Sequence, residues 1–159
     1  MSDVVVRLMQ LEDLPAVEAL WMQYDSYHHS LGLAFPQPEL AAAALRASFE
    51  RTLGRFSYVW VAEKDGIVAA FLLARLKRTP AFLGGVLVGE ISDLFVSDSL
   101  RGQKVGSRLA AAAVKTLRAQ QVHSIEVQVL QRNIGALAFW LEQGFVAELI
   151  QFRLPIHED

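Results

Sequence analysis

Cysteine is absent from the 159 residues, and its absence excludes a disulfide scaffold, thiol catalysis and cysteine-ligated zinc or iron–sulfur centres. Neither sign of charge is in large excess, because the chain has 15 basic and 17 acidic side chains and a net charge of −2. The lack of a basic surplus argues against a nucleic-acid partner. The longest stretch of low charge, residues 79–89, is too short to span a bilayer, and no basic and apolar leader opens the chain. We therefore expect a cytoplasmic protein without a membrane partner.

The residues that are present suit one folded domain over residues 1–159. Hydrophobic residues make up 53% of the chain and charged residues 20%, a composition that excludes general disorder. A chain of this length usually forms a single domain and can bury roughly 70% of the surface that its unfolded form exposes. The high apolar content, together with an exposed end of the sheet, is also compatible with a homodimer.

Hydrophobic spacing and turn residues predict ten elements in the order β-α-α-β-β-β-α-β-α-β. Three valines open the first strand, Asp65-Gly66 forms a hairpin turn, and Gly144 ends the last helix. The predicted strands cover residues 4–6, 58–62, 67–76, 85–96, 125–129 and 145–154, and the predicted helices cover residues 12–28, 39–53, 104–120 and 133–143. Hairpins mixed with crossovers predict an α/β or α+β fold with helices layered around a mixed sheet.

The most informative segment, residues 94–107, leads from an apolar strand through a glycine-containing loop into a helix. The free N–H groups and the dipole of a helix start attract an anion, and Gly102 and Gly106 allow a ligand to approach the backbone. Arg101 and Lys104 add positive charge. The glycine spacing fits neither a P-loop nor a Rossmann fingerprint. From these residues alone, an ordinary strand-to-helix turn with solvated basic residues is an equally good interpretation.

The helix at residues 133–143 is apolar nearly all round, which predicts burial on more than one side. Asn133 stands at its N-cap position and shares a face with Trp140, seven residues further on. That face is suited to line a ligand groove, although plain core packing with a capping Asn is the better interpretation of this helix alone.

Taken together, the two segments resemble the GNAT superfamily of acetyl-CoA-dependent N-acetyltransferases over about residues 89–145. The loop 101–106 is similar to the pyrophosphate loop of that family, and Asn133, Phe139-Trp140 and Gly144-Phe145 match further family motifs. The resemblance implies a mostly antiparallel sheet with splayed middle strands, helices on both faces, and acetyl-CoA as cosubstrate. The cofactor-binding residues that it implies are Leu94, Phe95, Val96, Arg101, Gly102, Gln103, Lys104, Val105, Gly106, Ser107, Asn133, Phe139 and Trp140.

Two positions depart from the family pattern. Lys104 replaces the first loop glycine, and a side chain is tolerated there only if φ stays negative. Trp140 stands where many members carry the Tyr that protonates the leaving thiolate, and an indole N–H is not an acid near neutral pH. The chain then uses water, Tyr24 or Tyr27 as the proton donor, or releases CoA as the thiolate.

Acetyl transfer to an amine requires a base, because the amine must be neutral to attack a thioester and an alkyl ammonium has a pKa of about 10.4. Glu90 is the first candidate, and Asp93 is the second because it faces the other way in a strand without a β-bulge. The resemblance makes the Val96 N–H the donor that stabilises the oxyanion. The residues expected to bind the acceptor are Tyr24, Tyr27, His28, Phe35 and Glu90. The pair His28-His29 has no partner ligands at metal spacing, so we expect no metal.

The expected function is direct transfer of an acetyl group from acetyl-CoA to a primary amine of a small molecule or peptide. The sequence leaves two alternatives open. One is a non-catalytic acyl-CoA-binding or interaction module on the same fold, and the other is a different nucleotide or phosphate binder that uses the helix-start loop.

Overall fold

A computed structural model of the chain describes residues 3–37 and 39–156. Its strands are β1 (Val5–Leu8), β2 (Ser57–Lys64), β3 (Ile67–Arg78), β4 (Leu87–Val96) and β5 (Ser124–Val127). Its helices are α1 (Leu14–Ser30), α2 (Ala41–Thr52), α3 (Val105–Ala119) and α4 (Ile134–Glu142). Each of these elements overlaps one that the sequence predicts. Within the described ranges, no helix combines the length and the apolar character needed to cross a membrane.

The five strands form one sheet in the order β1-β2-β3-β4-β5. The first three pairings are antiparallel and the pairing of β4 with β5 is parallel, with α3 as the crossover between these two strands. The sheet is therefore mixed and mostly antiparallel, as the element order predicts.

Helices cover both faces of the sheet, each over its own apolar core. On one face, α1 and α2 bury Val17, Leu20 and Phe49 against Val59, Val61 and Phe71. On the other face, α3 and α4 pack against the opposite side of the same strands, with the buried residues Trp60, Leu72, Ile91, Leu109, Leu117 and Trp140. This arrangement confirms the two-faced fold that the resemblance implies.

Two irregularities in β4 shape the centre of the molecule. The pairing with β3 skips a residue, because Leu73 faces Asp93 while Ala74 faces Ile91, which leaves Ser92 as a β-bulge. The pairing with β5 ends at Ile91 opposite Val127, whereas β4 continues to Val96. β4 therefore separates from β5, the last strand in the order, which confirms the splayed sheet.

The structure differs from two predictions at the C-terminal end. Residues 145–154 form no strand, because no described segment pairs with them and a strand without a partner is not stable. The prediction that α4 is buried on more than one side is wrong for the single chain. Only the side carrying Trp140 packs on the sheet, while Ile134, Leu137 and Leu141 are exposed, because nothing in the described chain covers them.

Candidate active site

A cleft of about 500 Å³ opens where β4 and β5 separate. Four helices or strands and two loops contribute to its walls, and α1 closes one end. The lining residues that matter below are Tyr24, Tyr27, His28, Ser92, Asp93, Leu94, Phe95, Val96, Arg101, Gly106, Gln128, Val129, Asn133, Phe139 and Trp140. Most of the residues expected from the sequence thus come together in one place.

The backbone of β4 lines the cleft with N–H groups that do not pair with β5, because that pairing ends at Ile91. The Ser97 N–H donates to the Ala69 carbonyl oxygen on β3 at 2.9 Å. Because the N–H groups of an antiparallel strand point alternately to its two sides, those of Leu94 and Val96 point away from β3 into the cleft. The side chain of Arg101 lies along this open edge, since its Nε donates to the Val96 carbonyl oxygen at 3.2 Å. This edge therefore offers backbone donors to an extended ligand.

The loop before α3 brings further backbone donors to the mouth of the cleft. Gly102 has φ +77°, and Lys104, the residue that precedes α3, has φ +58°. The expectation of a negative φ at Lys104 is wrong: the residue adopts the left-handed conformation, at a cost of about 1–2 kcal/mol for a residue with a Cβ. The loop forms in spite of this cost.

Several loop residues that the resemblance implies do not direct side chains into the cleft. Val105 is buried in the core, Gln103 donates to the Ser99 carbonyl oxygen at 3.2 Å, and the Ser107 hydroxyl accepts from Gln143 at 3.0 Å. The side chain of Lys104 does not line the cleft either, and neither does Gly102. These residues can therefore contact a ligand only at the mouth of the cleft or through their backbone.

The start of α3 packs closely against α4 to form the floor of the cleft. A Cβ on Gly106 would lie 3.3 Å from the Phe139 ring, so glycine allows this approach. Trp140 is buried between the rings of Phe139 and Phe145, with centroid distances of 4.9 and 5.1 Å. The Asn133 side chain caps α4 as predicted, since its Oδ1 accepts from the Ala136 N–H at 3.2 Å. The floor is thus apolar apart from this cap.

Glu90 is buried in an ion-pair network and does not line the cleft. It accepts hydrogen bonds from Arg75 Nε at 2.6 Å and from Lys77 Nζ at 2.9 Å, and Lys77 also pairs with Glu126 on β5. Burial alone would raise the pKa of Glu90, but the hydrogen bonds and the positive charges of Lys77 and Arg75 together outweigh it and hold the pKa below its usual value. A carboxylate stabilised in this way is a weak base.

Asp93 lies in the cleft because the bulge at Ser92 reverses the alternation of β4. Its Oδ2 accepts a hydrogen bond from the Ser92 hydroxyl at 2.9 Å, and burial raises the pKa of its carboxyl group. No Arg or Lys hydrogen-bonds it in the described part of the chain. Asp93 is therefore the more basic of the two carboxylates.

Three α1 side chains close the acceptor end of the cleft next to Asp93. The Tyr24 hydroxyl donates to the Ser92 carbonyl oxygen at 3.1 Å, and burial, followed by the charge of Asp93, raises the pKa of Tyr24. The His28 ring lies edge-on to Tyr24, with centroids 4.0 Å apart, and Tyr27 contacts the other side of His28. Phe35, by contrast, lies outside the cleft and is 58% exposed.

Sequence reasoning did not predict that two basic side chains, Arg75 and Lys77, hydrogen-bond Glu90. It also did not place the polar residues Ser92 and Gln128 in the cleft wall. Arg75 and Lys77 lie on β3, and only the register of β3 against β4 brings them to Glu90. Among the described residues, no group of three or more His, Asp or Glu side chains is placed to hold a metal ion.

A family model described as the acetyltransferase (GNAT) family matches residues 17–145, and the chain belongs to that family. It is therefore an acyltransferase, of a family that uses acetyl-CoA. No curated protein matches the sequence closely enough to count as a relative.

Solved structures support the same fold. A tetramutant of the BH1408 protein from Bacillus halodurans is similar to this chain with 25% identity and a TM-score of 0.80, over 96% of this chain and 99% of that one. An aminoglycoside N-acetyltransferase in complex with CoA has 19% identity and a TM-score of 0.77, over 98% of this chain and 97% of that one. Glucosamine-6-phosphate N-acetyltransferase from Arabidopsis thaliana has 16% identity and a TM-score of 0.72, over 98% of this chain and 99% of that one. The last two likenesses concern the fold.

Proposed function

We propose that this chain transfers an acetyl group from acetyl-CoA directly to a primary amine of a small molecule, without a covalent enzyme intermediate. The observation that carries the proposal is the cleft between β4 and β5, in which the backbone N–H groups of the open β4 edge end beside the half-buried Asp93 carboxylate. A thioester and an amine can meet in such a cleft in the orientation that direct transfer needs.

The strand edge and the α3 loop fit the donor. The N–H groups of Leu94 and Val96 suit the amide groups of an extended pantetheine arm, which would add to the sheet as a strand does. The outward N–H groups at the start of α3 and the Arg101 guanidinium suit a diphosphate. This placement puts the acyl end of the donor near Val96 and Asp93.

Asp93, rather than Glu90, is the base in this proposal. It lines the cleft, has a raised pKa and, among the described residues, accepts no hydrogen bond from Arg or Lys, so it can accept the proton that the acceptor ammonium must lose. Glu90 lies outside the cleft and already accepts hydrogen bonds from two cations. Its proposed role is to hold β3, β4 and β5 together.

The remaining steps use the backbone and the solvent. The Val96 N–H stabilises the negative charge that develops on the thioester oxygen during attack. Tyr24 is a poor acid for the leaving group, because its pKa ordinarily exceeds that of a thiol and burial raises it further, and Trp140 supplies no acidic proton. CoA therefore leaves as the thiolate, which takes its proton from water.

The acceptor end favours a small amine that carries positive charge before transfer. Tyr24, Tyr27 and His28 present aromatic surfaces beside the Asp93 carboxylate, a combination that binds organic ammonium groups. The named substrates of two proteins of the same fold, an aminoglycoside and an amino sugar phosphate, are small amines of this general kind.

A comparison of two matched variants tests the proposal. Asp93→Asn and Glu90→Gln each replace a carboxylate on β4 by its amide, and turnover is measured by release of free thiol from acetyl-CoA over a panel of small amines. We expect Asp93→Asn to lower kcat by about 100- to 1,000-fold with an unchanged KM for acetyl-CoA. We expect Glu90→Gln to retain kcat within about threefold.

Three outcomes would contradict parts of this proposal. Equal losses in the two variants would remove Asp93 as the specific base. A loss confined to Glu90→Gln would restore Glu90 to that role. Tight binding of acetyl-CoA by the wild-type chain with no thiol release on any amine would favour a non-catalytic acyl-CoA-binding module.

A further inference from the structure

The two histidines in the last turn of α1 have different surroundings. His28 lines the cleft, where its ring lies against the rings of Tyr24 and Tyr27. His29 does not line the cleft and lies between α1 and the α1 loop, residues 31–37, which follows the helix. The acetyl-transfer proposal uses His28 and leaves His29 without a role.

Both ring nitrogens of His29 face carbonyl oxygens. Nδ1 lies 2.8 Å from the Asp25 carbonyl oxygen, one turn earlier in α1, and Nε2 lies 2.7 Å from the Phe35 carbonyl oxygen in the α1 loop. A carbonyl oxygen can only accept, and a neutral imidazole has a single N–H, so a neutral ring would leave one nitrogen lone pair against an oxygen lone pair. Only the imidazolium donates both hydrogen bonds.

The electrostatic surroundings of His29 also favour the imidazolium. The Asp25 side chain is buried, its Oδ2 has no hydrogen-bond partner within the described residues, and this oxygen lies 3.4 Å from His29 Nδ1. The carbonyl end of a helix attracts a cation as well. The hydrogen bonds to Asp25 and then to Phe35 raise the pKa of His29 above its ordinary 6.5. Backbone geometry and charge therefore require the same protonation state.

The α1 loop borders the acceptor end of the cleft. It follows the helix that carries the acceptor-end side chains, and a Cβ on its Gly32 would lie 3.4 Å from Nη1 of Arg132. Arg132 precedes Asn133, which lines the cleft. The loop has no ionisable side chain of its own, and the guanidinium groups beside it, those of Arg132 and Arg153, do not titrate near neutral pH. A change of charge at this loop near neutral pH therefore belongs to His29.

The hydrogen bond from His29 ties the outer half of the α1 loop to α1. The N–H groups of residues 31–33 donate to carbonyl oxygens in the last turn of the helix, so the inner half is held by the backbone. Residues 34–37 make no backbone–backbone hydrogen bond in the part of the chain that the structure describes. Their other hydrogen bond to α1 is a long one, 3.5 Å from the Gln37 amide to the Ser26 hydroxyl. The outer half thus depends mainly on the His29 ring.

We propose that the His29 imidazolium is a positioning group for the acceptor, which holds residues 34–37 against α1 and so completes the wall of the acceptor end. Loss of its proton breaks one of the two hydrogen bonds. The bond to Asp25 lies within the helix and beside a carboxylate, so the bond to Phe35, at the exposed side of the ring, is the one that opens. The role toward the acceptor rests on the acetyl-transfer proposal, whereas the charge of the ring and its hold on the loop do not.

Nitrogen-15 NMR of the full chain tests the charge without any substrate. We expect both ring nitrogens of His29 to carry a proton at about pH 6. Because its pKa is raised, the hold on the loop should be complete below 6.5 and be lost as the pH rises through the higher folded value, with the backbone signals of residues 34–37 following the ring. A His29 ring that is neutral at about pH 6, or loop signals that do not follow it, would overturn the proposal.

His123 is the internal control in the same spectra. It lies exposed directly before β5, with its Nδ1 3.0 Å from the Ser124 hydroxyl, and a hydroxyl can donate as well as accept. Its surroundings therefore require no particular protonation state. The signals of residues 34–37 should not follow the His123 ring, and the variant His123→Gln should leave them unchanged.

Two substitutions at His29 test its role toward the acceptor. A Gln amide nitrogen can take the place of Nε2 and an Asn amide nitrogen that of Nδ1, so His29→Gln can donate to Phe35 at every pH and His29→Asn cannot. With the panel amine of highest kcat/KM, we expect His29→Asn to raise the KM for the amine about tenfold at about pH 6, with an unchanged KM for acetyl-CoA. His29→Gln should keep the KM for the amine within about threefold.

The pH dependence separates positioning from a merely structural role. The ratio of the wild-type KM for the amine to that of His29→Gln removes the titration of the amine itself, and it should rise as the wild-type His29 loses its proton. Equal losses in the Asn and Gln variants, or a ratio that does not change with pH, would overturn the positioning role. Absence of thiol release with every amine would contradict acetyl transfer and with it this role, while the NMR titration would still decide whether His29 holds the loop.

Discussion

Glu90 and Asp93 are two carboxylates three residues apart on β4 whose surroundings give them opposite properties. Arg75 and Lys77 hydrogen-bond Glu90 and lower its pKa, whereas Asp93 lies beyond the bulge, is half-buried in the cleft wall and has a raised pKa. One extra residue in the strand decides which carboxylate reaches the cleft. The same bulge therefore separates a structural carboxylate from the proposed catalytic one.

The stability that the Glu90→Gln variant loses relative to the wild type should depend on pH. The pKa of Glu90 is lower in the folded chain than its ordinary 4.5, so its ion pairs stabilise the fold above that pH, and the stabilisation is lost as the pH falls through the lowered value. We expect Glu90→Gln to lower the free energy of unfolding by about 1–3 kcal/mol at pH 7.

Urea unfolding at several pH values measures this effect. The difference between wild type and Glu90→Gln should shrink as the pH falls below 4.5. Asp93→Asn is the control, because its carboxyl pKa is raised by burial and removing its charge should not destabilise the fold at pH 7. A pH-independent difference for Glu90→Gln would contradict the assignment.

Arg101 is the side chain that most directly offers positive charge to the donor. It lies beside the Val96 carbonyl oxygen, and its side chain is 63% exposed. We expect Arg101→Ala to raise the dissociation constant for CoA about tenfold in calorimetry, because hydrogen bonds to charged groups contribute about 1.5–3 kcal/mol. Arg118→Ala at the other end of α3 is the matched control and should bind CoA as the wild type does. Equal affinities of the two variants would exclude Arg101 from the site.

At the scale of elements, the α3 loop contains one residue in an unfavourable conformation. Lys104 has φ +58°, where glycine is favoured, and Lys115 lies exposed in the middle of α3. We expect Lys104→Gly to raise the free energy of unfolding by up to about 1 kcal/mol, and Lys115→Gly to lower it by about 1 kcal/mol. Urea unfolding measures both changes, and a loss of stability in Lys104→Gly would show that its side chain contributes more than its backbone costs.

The sequence predicts a feature best when the residues that form it are close together along the chain. The buried face of α3, formed by Val105, Leu109, Ala113 and Leu117, follows from helical spacing alone and is confirmed. The pairing of Arg75 and Lys77 with Glu90 depends on the register between two strands, which local spacing does not specify. The sequence does not reveal the bulge at Ser92 either, because its pattern does not specify which residues of the strand face the cleft.

The C-terminal segment shows a different limit of sequence reasoning. Its alternation predicts a strand at residues 145–154, and the single chain contains none. A strand needs a partner as well as a pattern, and no described segment of the single chain pairs with these residues.

At the scale of the whole molecule, elements from both faces of the sheet surround the cleft. Leu109 and Leu117 of α3 and Trp140 of α4 pack beneath the sheet, and α1 brings Tyr24 against β4 from the other face. The ion pairs of Lys77 with Glu90 and Glu126 join β3, β4 and β5 at the closed end of the cleft. The opening is thus a property of the entire fold.

A crystal structure of the chain with bound CoA is the measurement that tests the central claim most directly. The account predicts the pantetheine arm along Leu94–Val96, hydrogen-bonded to their N–H groups, and the diphosphate within hydrogen-bonding distance of the first N–H groups of α3. CoA bound elsewhere on the molecule, or a β4 edge without contact to it, would contradict the account.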